Sequence, residues 1–505
     1  MVHAALLLPE VVAAILNAGS EETGLLYNCL LVNHLFLEEA RRTLWSQCDS
    51  TSGVHPDIHD IGAMVLRNDI GLERAQVYAN LIRETSFHYG NSLSEHTYVD
   101  QTSWHTVLCQ LKFPQLVSVW FWHTDHGATL NTEDVILHYA ECSLRKLCVD
   151  ACGQLSDSFF DRMAERCSRM DFLLLRPSKV TASPAAVVRM LTRMPNIDSL
   201  DLERGFEDVV SPEMVKVIAS FPGLDQVVLP YVKDDFLLKL QSDPDVHFFP
   251  KLRYLYVGAT AESLRLYHRV APSIEALGLT NETLERTNDV LTGASRFHHL
   301  TSFTAQLSAS SVIRGEELIH LAQGCQGLQE LKIGIDGWYE TKPSATSITD
   351  ELMEKLALCL LNLKVLYLLF EPAGQDMPGC ISTVRALGHH CKRLEEMVFS
   401  CRPDWSLIAS LPQGEGLHLA AKLEQLQPVV TDHMEMCLTS DEFNELLKIW
   451  RENAKTWLPQ VNFMMIRHAD DREEAFEEVL APADEDNNPD DGGSPIDASE
   501  EGELS

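Results

Sequence analysis

At 505 residues, with 45% apolar side chains and a formal net charge of −34, the chain can bury a large core. It is too acidic for general binding to nucleic acid or anionic membrane, which needs clustered lysine and arginine. No apolar run approaches the roughly 18 residues of a membrane span. No basic region precedes an apolar stretch at the N-terminus, so no signal peptide is expected. Thirteen cysteines, an odd number scattered along the chain, predict buried thiols in a reducing compartment, the cytoplasm and/or nucleus.

Residues 1–46 form an apolar block of their own. Pro9 stands at a helix start, where its missing N–H costs nothing, and Val11, Val12, Ile15 and Leu16 follow at helical spacing. Further helices are predicted over Leu25–Val32 and Leu35–Trp45. Three helices this short expose more apolar surface than they can bury among themselves. The block therefore either caps the remainder of the chain or binds another protein.

The residues Leu8-Pro9-Glu10-Val11, Ile15-Leu16, Cys29 through Phe36, and Leu44-Trp45 resemble an F-box, most closely that of F-box proteins from filamentous fungi. The resemblance implies docking of a Skp-type adaptor, and through it a cullin-RING ubiquitin ligase. The contacts it implies are Leu8, Pro9, Leu16, Leu31, Val32, Leu35, Leu44 and Trp45.

Residues 47–112 are read as a linker and an irregular first repeat. Thr51–Pro56 is predicted as a loop, Leu72–Arg83 as a helix, and Thr85, Phe87 and Tyr89 as extended. Gly90–Ser103 is predicted as a loop and Trp104–Leu111 as a helix.

Over residues 113–410 one pattern recurs. Strand cores begin at Leu116, Leu144, Met170, Ile197, Leu224, Leu252, Ile274, Leu300, Leu328, Leu363 and Leu394, each followed at the third and fifth positions by apolar or small residues. Most steps are about 26 to 28 residues, the period of a leucine-rich repeat, in which one strand and one helix form a unit stacked on its neighbours. Ser183-Pro184 and Ser211-Pro212 mark helix starts in the same phase. Cys142, Cys167, Cys325 and Cys391 fall just before strand cores, and Ile348-Thr349-Asp350 opens a helix. These features resemble the cysteine-containing repeats of F-box/leucine-rich-repeat proteins. The expected fold is α/β, a three-helix F-box followed by a solenoid with parallel strands on its concave face and helices on its convex face.

Side chains alternate along a strand, so the residues between the core positions should face the concave side. Trp120, Trp122, Phe172, Tyr254, Tyr256 and Tyr367 are then candidate contacts for a protein substrate, since aromatic anchors dominate protein interfaces. Alternatively, the 47–112 segment or the tail covers the two tryptophans. Trp338 and Tyr339, at the tip of an insertion after Ile333, are a second candidate contact. Residues 411–469 read as a C-terminal cap, with a helix over Ser440–Trp457 and a last strand over Val461–Ile466. Residues 470–505, with fifteen acidic side chains and one arginine, read as a disordered acidic tail.

No motif for nucleophilic, phosphate or metal chemistry is present. His55 and His59 have a metal-like spacing but Pro56 between them. The expectation is a non-enzymatic substrate receptor of a Skp-cullin-F-box ubiquitin ligase, with no cofactor and no metal. The alternatives are a non-degradative adaptor-binding scaffold and, ranked low, a Ran-type GTPase activator, whose asparagine ladder this chain lacks.

Overall fold

The computed structural model describes residues 8–20, 22–49, 56–67, 69–89, 101–123, 133–241, 248–281, 289–308, 310–334, 343–372, 377–401, 425–430, 463–468 and 477–478. The chain forms two compact units, Met1–Thr346 and Ser347–Ser505, inside the stretch the sequence reads as one solenoid.

Pro9 takes the first position of helix α1 (Pro9–Ala18), followed by α2 (Thr23–Cys29) and α3 (His34–Leu44). The Asn33 side chain caps α3 by accepting the Phe36 N–H at 3.0 Å. Val12, Leu16, Leu26, Cys29, Ala40 and Leu44 form a small core of their own.

The sheet of the first unit begins immediately afterwards. Its first strands are β1 (Gln47–Asp49), β2 (Glu84–Tyr89), β3 (Ser118–His123), β4 (Lys146–Leu155), β5 (Phe172–Val180) and β6 (Ser199–Asp201). It continues with β7 (Gln226–Leu229), β8 (Tyr254–Val257), β9 (Ala276–Asn281) and β10 (Ser302–Leu307). A separate parallel pair, β11 (Val312–Arg314) and β13 (Ser344–Thr346), flanks β12 (Glu330–Ile333), the next strand after β10 in the main sheet. The main sheet of this unit is parallel throughout and in sequence order.

Between strands run α4 (Ile58–Arg67), α5 (Asp69–Ala79), α6 (Gln101–Leu108), α7 (Glu133–Tyr139) and α8 (Asp157–Arg166). Then come α9 (Pro184–Arg193), α10 (Pro212–Ala219), α11 (Asp234–Gln241), α12 (Ala261–Val270), α13 (Val290–Ala294) and α14 (Gly315–Gly324). One strand and one helix per period, stacked in register, is a leucine-rich-repeat solenoid. Every first, third-following and fifth-following residue of the repeats in this unit from Leu116 onward is buried.

The repeats are tied by three ladders. The carbonyl of the residue ahead of each strand accepts two N–H groups from the next repeat. Ser46 accepts from Arg83 and Glu84, Arg83 from Val117 and Ser118, and so on to Thr301, which accepts from Gln329 and Glu330. Acidic residues at helix starts form the second ladder. Asp157 accepts the Ser183 N–H and hydroxyl at 2.7 and 2.9 Å, Glu133 does the same for Ser156, and Asp234 accepts from the Thr260 hydroxyl. The third ladder is thiol to carbonyl: Cys167 donates to Glu141, and Cys325 to Ala294 and Phe297.

The first unit differs from the sequence reading in three ways. Residues 47–112 are no linker, since they carry two sheet strands and three helices. Their periodicity is masked because Thr85 stands where an apolar residue is expected between Ile82 and Phe87, although all three are buried. The helix predicted over Leu72–Arg83 is α5, which starts at Asp69 and ends at Ala79, and α4 precedes it where no helix is predicted. Cys109 and Cys142 are exposed rather than buried. Cys142 lies two residues ahead of its strand core, whereas Cys167 and Cys325 lie three ahead, and the one-residue offset turns its thiol outward.

The second unit repeats the same grammar. It contains α15 (Asp350–Cys359), β14 (Val365–Leu368), β15 (Glu371–Pro372), α16 (Cys380–His390) and β16 (Glu396–Cys401). Thr349 caps α15, Asp350 accepts the Gly379 N–H at 2.6 Å, and Cys391 donates to Ala357 and Leu360. The sheet runs on through β17 (Gln425–Val430) and β18 (Phe463–His468), both parallel, and β19 (Glu477–Glu478), antiparallel to β18. β17 is hard to read from sequence because Pro428, which has no N–H for a ladder, holds the fifth position of its pattern. β19 places one dipeptide of the acidic segment in a strand. The predicted helix Ser440–Trp457 and the rest of the tail lie outside the described residues.

In the first unit, His105 is buried beside Phe87, Phe121 and Tyr139, with Nδ1 3.2 Å from the Tyr139 hydroxyl. Burial, with His59 and His138 nearby, lowers its pKa to about 4. A folded pKa below the unfolded value means the stabilisation is full above about pH 6.5 and is lost as pH falls towards 4. Up to about 3 kcal/mol is at stake. Thermal unfolding from pH 7 to 4.5 should therefore show a falling midpoint in the wild type and a flatter profile in His105→Phe.

Candidate functional interfaces

Two surfaces stand out among the described residues. The first is the outer face of the N-terminal helices. Leu8, Ile15, Leu25, Tyr27, Leu31 and Val32 are all exposed, Leu31 to 87% and Val32 to 59%. Six large apolar side chains are thus left in solvent within one stretch of 25 residues, a concentration that exposed surfaces seldom carry unless a partner covers it.

The residues named from the sequence for this face divide by position. Leu8, Pro9, Leu31 and Val32 point outward. Leu16 and Leu44 are buried in the block's own core and are withdrawn as contacts, because their apolar surface is already used. Leu35 is half-buried against that core. Trp45 is half-buried too, its ring 4.5 Å from Tyr78 on α5, so it fixes the block to the first repeat helices. With α3 followed after two residues by β1, the block is joined to the repeats without a spacer.

The second surface is the face of the sheet opposite the buried leucines. Trp120 and Trp122 stack at 5.3 Å and an interplanar angle of 13°, which their positions two apart on one strand, on the same face, allow. Phe172 on β5 lies 5.2 Å from Trp120. These rings meet across Cys148 on β4, the register partner of Trp120, leaving that thiol fully buried. Burial, with Asp150 adding to it, pushes Cys148 up to about 12. The Trp120 indole N–H donates to Ser118 Oγ at 2.7 Å. The tryptophans are half-buried by their own neighbours; neither is fully covered.

Further along the sheet, Tyr254 carries the Arg253 guanidinium 5.2 Å from its ring centre. Tyr256 lies flat on Gly278, where a Cβ would come within 1.9 Å of the ring. Beside the tryptophans is a charged group that the sequence reading placed on this face without recognising it as a cluster. Arg176 donates to Asp150 at 3.0 Å and Asp201 at 2.7 Å and lies 3.8 Å from Glu203. The signal was present: Asp150, Arg176 and Glu203 occupy the same phase of three successive repeats with alternating charge. Burial raises the Glu203 carboxyl, opposed by Arg176.

In the second unit Tyr367 donates to the Glu396 carboxylate. Burial and that bond raise its pKa. Trp338, Tyr339 and His55 lie outside the described residues. His59 pairs with Asp57 at 2.9 Å. No group of His, Cys, Asp and Glu suited to a metal occurs among the described residues, and none of their helices is long and apolar enough to cross a membrane.

No family model matches the chain. No curated protein matches it either. Among solved structures, a chain of the yeast Rad7–Elc1 complex is similar at 15% identity and TM-score 0.34, covering 61% of this chain and 78% of that one. The leucine-rich repeat-containing protein LegL7 of Legionella pneumophila is similar at 16% identity and TM-score 0.29, covering 53% and 79%. A chain of the mouse RP105/MD-1 complex is similar at 12% identity and TM-score 0.34, covering 74% and 59%. At such scores the assignment of the repeat fold rests on the strand register and on the burial of the repeat leucines.

The packing around Cys148 yields a direct test. In the native chain Cys109 and Cys142 should alkylate with iodoacetamide well before Cys148, Cys167 and Cys325, whose pKa values burial raises. Removing the Trp120 ring in Trp120→Ala should accelerate labelling of Cys148 alone, as read by mass spectrometry.

Proposed function

We propose that this protein is a substrate-recognition subunit of a Skp-cullin-F-box ubiquitin ligase. Its N-terminal helices would dock a Skp-type adaptor, and the open face of its repeats would hold a protein substrate. In this reading the chain catalyses nothing itself and works in the cytoplasm or nucleus.

The observation that carries the reading is the set of exposed apolar side chains on α1, α2 and the turn after α2, of which Leu31 is the most exposed, on a block whose own core is already filled. It is the face on which the F-box resemblance places the adaptor. Two features of the block support the reading further. Leu16 and Leu44 hold the helices together from within, leaving the outward residues for a partner. Trp45 against Tyr78 anchors the block to the repeats, so an adaptor bound there would keep a fixed relation to the first strands of the sheet.

Co-expression with a Skp-type adaptor and its cullin tests the proposal. The wild-type chain should co-purify with both. Leu31→Asp combined with Val32→Asp should lose both while the chain stays folded. Leu16→Ala should also lose them, but through unfolding of the block, since a buried leucine truncation costs about 2–5 kcal/mol. Recovery of adaptor without cullin would favour a non-degradative scaffold. Adaptor retained by the double variant, or never bound by the wild type, would contradict the proposal.

A further inference from the structure

The charges of the second unit are sorted to opposite edges of its repeats. Asp350 and Glu351 stand in the first turn of α15, and Glu371 lies on β15, beyond the end of β14. At the other edge helices end and strands begin, and the charges there among the described residues are Lys364, Lys392, Arg393 and Glu395. Lys364 directly precedes β14, while Lys392 and Arg393 occupy the turn between α16 and β16. Three cations against one acid leave this edge positive. His389 and His390 close α16 behind it, their rings 4.6 Å apart. Lys392 Nζ donates to the Gly388 carbonyl at 3.1 Å, whereas Arg393 is exposed and Lys364 half-buried. None of the three cations has an ion-pair partner among the described residues. A chain of net charge −34 thus keeps a positive edge without neutralising it.

The strand register directs an acidic segment towards this edge. β16, β17 and β18 run parallel. β19 pairs antiparallel with β18, Glu477 opposite Ile466 and Glu478 opposite Met465. The chain therefore leaves β19 heading back to the side on which β14, β16 and β17 begin. Residues 479–505, which follow, lie outside the described residues; they carry nine acidic side chains and no lysine or arginine. Three strand intervals separate β19 from β16, roughly 14 Å at about 4.8 Å each. Six residues beyond Glu478, at about 3.3 Å each, cover up to ~20 Å. Asp484-Glu485-Asp486 are then the first acids within reach of Lys392 and Arg393. A tether whose length matches the span gives the highest effective concentration.

We infer that the acidic segment 484–503 docks on the edge formed by Lys364, Lys392 and Arg393 of its own chain, with Asp484-Glu485-Asp486 against Lys392 and Arg393. This docking goes beyond the ligase reading and does not depend on it. An external anionic ligand at the same edge must displace a tethered occupant.

Carbodiimide cross-linking of the full-length chain, which joins lysine amines to carboxylates in contact with them, tests this. In the monomer band, mass spectrometry should find Lys364 and Lys392 linked to carboxylates within 484–503, and Lys355, in the middle of α15, not linked to them. The links should disappear in about 1 M salt, where the screening length falls to about 3 Å. The variant D484N/E485Q/D486N changes no described residue. In it, acetylation of Lys364 and Lys392 should run about two- to fivefold faster than in the wild type, the scale of one exposed ion pair, with Lys355 unchanged. K364S/R393S should conversely speed Glu-specific proteolysis within 484–503.

No links from 484–503 to this edge, links spread equally over Lys355 and the lysines of the first unit, or links confined to a dimer band would overturn the inference. Unchanged acetylation of Lys364 and Lys392 in D484N/E485Q/D486N would overturn it as well.

Discussion

The architecture depends on one repeated hydrogen-bond arrangement, the carbonyl ahead of each strand accepting two N–H groups from the next repeat. Leaving a buried backbone group unpaired costs about 1–3 kcal/mol, so each repeat is held in a single register against the last. Once the register is set, side-chain direction is set with it. A slip of one residue would turn the buried leucines outward and the tryptophans and tyrosines into the core. The same arrangement begins at Ser46, two residues past α3, so the N-terminal helices and the sheet are parts of one built object. Trp45 against Tyr78 reinforces that junction from the helical side.

The side-chain ladders explain residue choices that composition leaves obscure. At Thr349-Asp350 the threonine caps its own helix and the aspartate supplies an acceptor to the following repeat, whereas at Ser156-Asp157 the serine hydroxyl reaches back to Glu133 and the aspartate reaches forward to Ser183. A cysteine at the helix end is small enough to fit beneath the next strand, and its thiol can donate weakly to a carbonyl of the previous repeat. Its raised pKa is a result of burial and argues for packing rather than reactivity. Cys167, Cys325 and Cys391 share this environment, and Cys142, one residue out of phase, does not.

Most of the repeat fold was legible in the sequence because the core pattern is periodic and burial enforces it from Leu116 to Phe399. It failed where a single residue broke the pattern for a local reason: Thr85 in β2, Pro428 in β17, and Cys48 in the three-residue β1. The candidate interfaces were legible in part. Alternation alone put Trp120, Trp122, Tyr254 and Tyr256 on the open face. Which residues of the N-terminal block face outward was not legible, since helices this short bury Leu16 and Leu44 and expose Leu31 by a geometry that a motif does not encode. The Arg176 cluster needs the stacking of three repeats before its charges meet. Taken together, the two surfaces divide the labour proposed for the chain, with an apolar face at its start for the adaptor and an aromatic face on the repeats for a client.

Hydrogen–deuterium exchange of the full chain with and without a Skp-type adaptor tests that division most directly. The account predicts slowed exchange in peptides covering residues 8–32 and unchanged exchange in β3 and β8. Unchanged exchange at 8–32, or protection by the adaptor on β3 and β8, would contradict it.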